Sequence, residues 1–301
     1  MTRVAVLMST YNGEKYLREQ IETILNQKGD FELKLFVRDD GSSDKTVDIL
    51  EEYKNKHGIE WYQGKNCGSA KSFMDLVRRV KGFDYYAFAD QDDFWLENKI
   101  MSGITKLSSK EPELYCGNGM VVDEKLAFSG NNVYKKTPSI DFDTVACAGG
   151  LLGCTMIFNE KLAQIVREHS MPEYMIMHDF YIALICLGIG GKIYYDANPY
   201  IKYRQHGSNV VGVSRGIFGK IKDRLKSIFK KQKISIQEQA KDIIDKYEDV
   251  LLQNNTKFLK VVSAYKKNLW TRLCLSVSRK TKYVNWNKSI TVRLSILFGS
   301  R

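Results

Sequence analysis

Three short apolar runs, each ending abruptly in a polar turn, constrain this chain more than any other feature. Val4-Ala5-Val6-Leu7-Met8 runs into Ser9-Thr10-Tyr11-Asn12-Gly13. Leu33-Lys34-Leu35-Phe36-Val37 runs into Asp39-Asp40-Gly41-Ser42-Ser43-Asp44, and Tyr85-Tyr86-Ala87-Phe88-Ala89 into Asp90-Gln91-Asp92-Asp93. Apolar runs of this length read as buried strands. A helical pattern starts at Glu14, with Leu17, Ile21, Ile24 and Leu25 on one face, and a further helix runs through Val47 and Leu50. Strand, polar turn, helix, repeated, is how right-handed βαβ units and a parallel sheet are built. An α/β fold follows.

Ligands bind such sheets at the carboxyl ends of the strands, and Thr10, Asp39 and Asp90 all fall at that edge. Asp39 is expected to accept from the N3–H of a pyrimidine base, Thr10 to frame the base and Asp90 to sit near a ribose. The closely spaced carboxylates of Asp90-Gln91-Asp92-Asp93 suit a hard cation, Mg²⁺ or Mn²⁺, whose shell is usually completed by substrate phosphates. An isolated D-x-D is explained at least as well by a solvated acidic turn.

The three turns, in this order and spacing, resemble glycosyltransferase family 2. The resemblance spans roughly residues 1 to 215 and implies a GT-A (Rossmann-like) mixed sheet flanked by helices, working on a nucleotide-sugar with inversion. It implies Asp92 as a metal ligand and places Thr10, Tyr11, Asp39 and Asp90 on the donor side. The stretch Gly64-Lys65-Asn66-Cys67-Gly68-Ser69-Ala70-Lys71-Ser72-Phe73 is similar to the family's Asn-Gly loop, with Lys71 as the cation that approaches the diphosphate. A solvated lysine on the first turn of a helix explains Lys71 equally well. His178-Asp179-Phe180 matches the segment that carries the catalytic base, which makes Asp179 that base. Tyr203-Arg204-Gln205-His206-Gly207-Ser208-Asn209 matches the family's late loop, in which His206 would ligate the metal and Arg204 would contact the diphosphate.

The expected reaction requires these residue types. A bound divalent ion neutralises the departing diphosphate. The acceptor hydroxyl needs a base at the moment of attack, and a positioned carboxylate contributes about 10²–10⁴ in rate. No second carboxylate motif argues for a covalent glycosyl-enzyme. Within the family, the same segments are similar to bacterial rhamnosyltransferases, which use dTDP-L-rhamnose and extend lipid-linked saccharides on the cytoplasmic leaflet. UDP-hexoses and UDP-N-acetylhexosamines remain open as donors, and a non-catalytic sugar-nucleotide-binding protein is the alternative of another class. Gly149-Gly150-Leu151-Leu152-Gly153-Cys154-Thr155 reads either as the acceptor border or as a glycine-rich turn before a core strand.

Charge divides the chain. Residues 215–301 hold 21 Lys and Arg against 6 Asp and Glu, a net of +15, whereas residues 1–214 hold 25 against 29, a net of −4. This suggests a basic, mostly helical appendage over residues 216–301. Its first stretch, Gly216 to Lys231, is helical in period, with Ile217, Phe218, Ile221, Leu225, Ile228 and Phe229 on one face. That pattern suits a helix lying on an anionic membrane surface. A helix packed by its apolar stripe on the catalytic domain fits the pattern too, and the final stretch, with Trp286, Ile290, Leu294, Leu297 and Phe298, reads as another interfacial element or a homo-oligomer contact. Further on, Ile243, Ile244, Tyr247, Val250 and Leu251, then Phe258, Leu259, Val261, Val262 and Trp270, suggest two more helices. No nucleic-acid motif accompanies the basic residues, so nucleic acid is not an expected partner.

The 301 residues, 44% of them hydrophobic, suffice for one large α/β core with an appendage. The six cysteines form no C-x-x-C pair and read as reduced core thiols of a cytosolic protein. Met1-Thr2-Arg3 leads straight into a strand, so no signal peptide is expected. The longest apolar span, from Phe180 to Ile189, is about ten residues, too short to cross a bilayer. A cytoplasmic protein, peripheral on the inner face of the membrane, is the resulting expectation.

Overall fold

The computed structural model describes residues 1–206, 233–278 and 286–301. The amphipathic stretch Gly216 to Lys231, expected to be helical, lies outside them, as does the end of the late loop from Gly207. Strands β1 (Thr2–Thr10), β2 (Phe31–Asp39), β3 (Glu60–Gln63) and β4 (Tyr85–Ala89) run parallel. With β5 (Phe94–Trp95), β6 (Glu113–Val122), β7 (Phe128–Asn132), β8 (Ile157–Asn159) and β9 (Lys192–Arg204) they make one mixed sheet. Its order is β3-β2-β1-β4-β8-β6-β9-β5, with β7 paired on β6. β8 is antiparallel to β4 and β6, which changes the direction of the sheet in its middle.

The alternation of β1 explains the layers. Val4, Val6 and Met8 enter an apolar cluster with Leu17, Ile21 and Ile24 of α1 (Leu17–Leu25) and Ile49 and Leu50 of α2 (Thr46–His57). Ala5 and Leu7 enter the other cluster, with Phe73 and Leu76 of α3 (Ser69–Arg79) and Tyr181 and Ile185 of α7 (His178–Gly188). Successive side chains of a strand point to opposite faces, so a strand covered on both sides is apolar throughout. Between α3 and α7 in the chain come α4 (Lys99–Ile104), α5 (Phe142–Ala148) and α6 (Glu160–Glu168).

The basic C-terminal part is helical: α8 (Ile236–Tyr247), α9 (Gln253–Ala264), α10 (Leu269–Val277) and α11 (Trp286–Leu297). Ser235 opens α8 with a capping box, its hydroxyl accepting from the Glu238 N–H while Glu238 accepts from the Ser235 N–H at 2.8 Å. Ile243, Tyr247, Leu259, Val262, Tyr265, Leu275 and Ile296 belong to the same apolar cluster as Val145 of α5 and Tyr181 of α7. The appendage is therefore built onto the sheet's helical layer through a shared core. Where the sequence suggests two helices ending near Trp270, Asn268 starts a third, accepting from the Thr271 N–H at 2.9 Å. Four cysteines are buried, while Cys67 and Cys274 are exposed, so not all six are core thiols.

Candidate active site

The register of β1 and β2 pairs Thr10 with Asp39, and Met8 sits opposite Ala89, so the three polar turns open at one edge. The turns are tied together side by side. Tyr11 N–H donates to Gln91 Oε1 at 2.9 Å, and Gln91 Nε2 returns a bond to the Tyr11 carbonyl at 3.1 Å. Asn12, with φ of +48°, accepts from the Ser43 N–H at 2.8 Å. That left-handed conformation is one asparagine tolerates better than most residues. The edge borders a cleft of about 410 Å³ lined by Thr10, Tyr11, Asp40, Asp90, Asp92 and Asp179, among others.

Two distant segments complete it. β5 pairs antiparallel with β9, Phe94 opposite Lys202, and this carries the end of β9 back over the Asp90–Asp93 turn. His206 Nε2 consequently lies 2.8 Å from Asp92 Oδ2. Asp179 sits in the first turn of α7, where its Oδ1 accepts from the Phe180 N–H at 2.6 Å.

Burial and crowding set the electrostatics. Asp90 is pushed well above the usual carboxylate range, first by burial and then by the charges of Asp93, Asp92 and Asp179. Burial and the neighbouring Asp92 raise Asp93 to about 7. Burial raises Asp179 to about 6, against hydrogen bonds from backbone groups that hold it down. Acidic groups forced together in this way favour a counter-cation. Asp93 Oδ2 is also buried without a hydrogen-bond partner among the described residues. On an octahedral ion with bonds of about 2.1 Å, neighbouring ligand atoms stand about 3 Å apart. The Asp92–His206 pair meets at 2.8 Å as a hydrogen bond, a spacing that such an ion would also accept.

Asp90, Asp93 and Cys154 also bring one potential ligand atom each to within 4.8 Å of one another. Burial holds the Cys154 thiol in its protonated form. A soft sulfur suits a hard cation poorly, which leaves Asp90 and Asp93 as the hard ligands of that group.

The cleft thus collects Thr10, Tyr11, Asp90, Asp92 and Asp179, with His206 on Asp92. Asp39 lies fully buried just behind it, accepting from Thr10 Oγ1 at 3.2 Å, the Ser42 N–H at 3.0 Å and Gln63 Nε2 at 2.9 Å. Two expected diphosphate contacts stand elsewhere. Lys71 is exposed on the first turn of α3, outside the residues that line the cleft. Arg204 is buried, its Nε donating to the Asp92 carbonyl at 2.9 Å, while its other nitrogens reach the Glu124 carbonyl and the Glu19 carboxylate. A guanidinium held by those acceptors supports the Asp92 turn from behind.

Some contributors were missed. Asp40 accepts from the Cys67 and Gly68 N–H groups, at 2.9 and 2.8 Å, and pairs with buried Arg38, fixing the start of α3 against the cleft. Its place in the Asp39-Asp40 doublet was the available signal. Lys99 is buried with its ammonium 3.5 Å above the Trp95 ring, and burial lowers it to about 7. A lysine at a helix start carries no sequence sign of that. A larger cavity of about 510 Å³ lies beside β2 and β3. Its Arg3, Lys34 and Arg79 are paired with Glu32, Glu60 and Asp75, and among the described residues no potential metal-binding group lies there.

Known proteins bear on this geometry. The family model described as Glycosyl transferase family 2 matches residues 5–161. The dTDP-rhamnosyl transferase RfbG of Shigella flexneri is 31% identical over 226 residues, covering 71% of this chain and 77% of RfbG. An uncharacterized glycosyltransferase of Rickettsia prowazekii is 25% identical over 278 residues, 88% of this chain and 80% of its own. Among solved structures, S. aureus TarS 1-349 in complex with UDP-GlcNAc covers 99% of this chain and 91% of that one, with a TM-score of 0.57 at 18% identity. At that identity the likeness speaks to the fold.

Proposed function

The chain belongs to glycosyltransferase family 2, and on that premise we propose that it transfers L-rhamnose from dTDP-L-rhamnose, with inversion and with Mg²⁺ or Mn²⁺, onto a lipid-linked saccharide. The observation that carries this reading is the meeting of Asp92, His206 and Asp179 around one cleft from three distant segments. The rhamnosyl assignment draws on the similarity to RfbG.

In this reading Asp92 and His206 hold the ion, which supplies charge neutralisation at the diphosphate. Thr10 and Tyr11 border the nucleotide, Asp39 braces Thr10 from behind in place of the base contact expected of it, and Arg204 keeps the Asp92 turn in place. Asp179, raised to about 6, is ionised at neutral pH yet more basic than an ordinary carboxylate. It takes the proton of the acceptor hydroxyl as that oxygen attacks the anomeric carbon from the face opposite the diphosphate. The diphosphate departs with the bonding electron pair, and the anomeric centre inverts.

No helix of the described residues is long and apolar enough to cross a membrane. On α10, Leu269, Trp270, Leu273 and Val277 are exposed, near Lys266 and Lys267. That surface and the basic C-terminal part support peripheral attachment to the cytoplasmic face of an anionic membrane, where a lipid-linked acceptor resides.

The test is a donor screen with purified protein, with and without EDTA, reading thermal shift and nucleotide release for dTDP-rhamnose and common UDP-sugars. Metal-dependent stabilisation by dTDP-rhamnose alone is expected. Preference for a UDP-sugar would keep the family chemistry and overturn the donor. No response to any sugar-nucleotide would sink the enzymatic reading.

A further inference from the structure

His178 stands next to the base and has no part in the scheme above. It is the first residue of α7 and only 3% exposed. Its ring stacks on Phe73 at 3.9 Å between centroids and meets the Phe88 edge at 4.8 Å. The two phenyl rings hold the imidazole plane, yet neither ring nitrogen has a hydrogen-bond partner among the described residues. Buried polar atoms are nearly always paired in folded proteins, and leaving one unpaired is costly. Here two remain, on a residue that lines the cleft beside Gly153, Asp179 and Tyr203.

Gly153 packs closely against this point of the wall. The position where a side chain at Gly153 would begin lies 3.0 Å from His178 Nε2 and 3.2 Å from Asp179 Oδ2. The two polar atoms therefore flank the same glycine of the cleft wall, close enough together for neighbouring groups of one ligand. Burial lowers His178 to about 3, so the imidazole is neutral at physiological pH, with one nitrogen donating and the other accepting. A sugar hydroxyl, which both donates and accepts, matches that pair of functions.

Resting on the reading above, we propose that His178 is a sugar-recognition residue whose imidazole hydrogen-bonds a hydroxyl of the saccharide that lies against Asp179. The hydroxyl belongs to the donor sugar or to the acceptor sugar, and the experiment separates the two.

His178→Phe keeps a ring between Phe73 and Phe88 and removes both nitrogens. Calorimetric binding of dTDP and of dTDP-rhamnose is measured for both proteins with Mn²⁺, alongside donor hydrolysis and transfer kinetics. The affinity for dTDP, which carries no sugar to recognise, is expected to change less than about twofold. Transfer kcat/KM is expected to fall about 10- to 100-fold, the scale of one lost hydrogen bond to a buried partner. A parallel fall in dTDP-rhamnose affinity places the hydroxyl on the donor. Unchanged donor affinity and hydrolysis, with a raised acceptor KM, places it on the acceptor.

Unchanged kinetics with both substrates would overturn the assignment and leave His178 a packing residue. Should the variant fail to fold, ¹⁵N NMR of the native protein's imidazoles decides: saturating substrates must move the His178 ring nitrogens, and unmoved resonances overturn the proposal. A native protein that binds dTDP-rhamnose beside an unaffected variant removes only the His178 role. A native protein that binds no sugar-nucleotide removes the parent reading and this one together.

Discussion

At the scale of single residues, the proposed chemistry concentrates in Asp92, His206 and Asp179. Asp92→Ala is expected to cost on the order of 10³-fold in turnover and to abolish metal-dependent thermal stabilisation while leaving the fold intact. Retained stabilisation by Mn²⁺ would move the ion to Asp90 and Asp93. Asp179→Asn should lower kcat by about 10²–10⁴ with donor binding preserved, and a fully active variant would remove the base assignment. Because a base must be unprotonated to act, and burial raises Asp179 to about 6, kcat/KM should be low below pH 6 and rise with pH through that value. A profile flat from pH 5 to 8 would contradict Asp179 as the titrating group. All three residues were legible in the sequence, since each belongs to a short motif. The raised ionisation of Asp179 was not, because burial exists only after folding.

At the scale of elements, the site depends on pairings that the chain order conceals. β5 is two residues long and pairs with β9, about a hundred residues later. That pairing brings His206 onto Asp92. A two-residue strand has no periodicity to detect, so the contact was available only through resemblance. The start of α3 is held in a similar way, by Asp40 against Arg38 and the Cys67–Gly68 backbone. Removing one partner of a buried pair leaves the other uncompensated, at about 3 kcal/mol or more. Asp40→Ala should therefore lower stability by roughly that amount in urea unfolding, and a change below 1 kcal/mol would show that Asp75 and water suffice for Arg38. Arg204 illustrates the opposite lesson. Its motif position suggested a diphosphate contact, whereas β9 aims its guanidinium at Glu19 and the Asp92 carbonyl.

For the whole molecule, the net charge of +15 over residues 215–301 coincides with helices that share the catalytic core. Removing residues 216–301 would strip Ile243, Tyr247, Leu259 and Val262 from that core, so truncation is expected to unfold the protein rather than merely detach it. Surface substitutions test membrane contact more cleanly. Trp270 and Leu273 are exposed, at 71% and 43%, and changing both to Ser should weaken co-sedimentation with anionic vesicles without lowering the melting temperature. The binding should also weaken with added salt, as screened charge interactions do. Unchanged binding would move the contact off α10, and a dimer that the double variant abolishes would assign this face to a second copy.

The sequence by itself determined the alternating layers, the edge at which ligands bind and the identity of the acidic turns. These follow from local apolar periodicity and from short motifs, which the chain carries whether or not it is folded. Only the tertiary structure decided which of those groups meet: Asp92 with His206, Arg204 with Glu19, His178 with Phe73 and Gly153. It also decided that the basic helices join the catalytic core. Such contacts join residues tens to hundreds of positions apart, and their partners are set by sheet order and packing, which no window of sequence encodes.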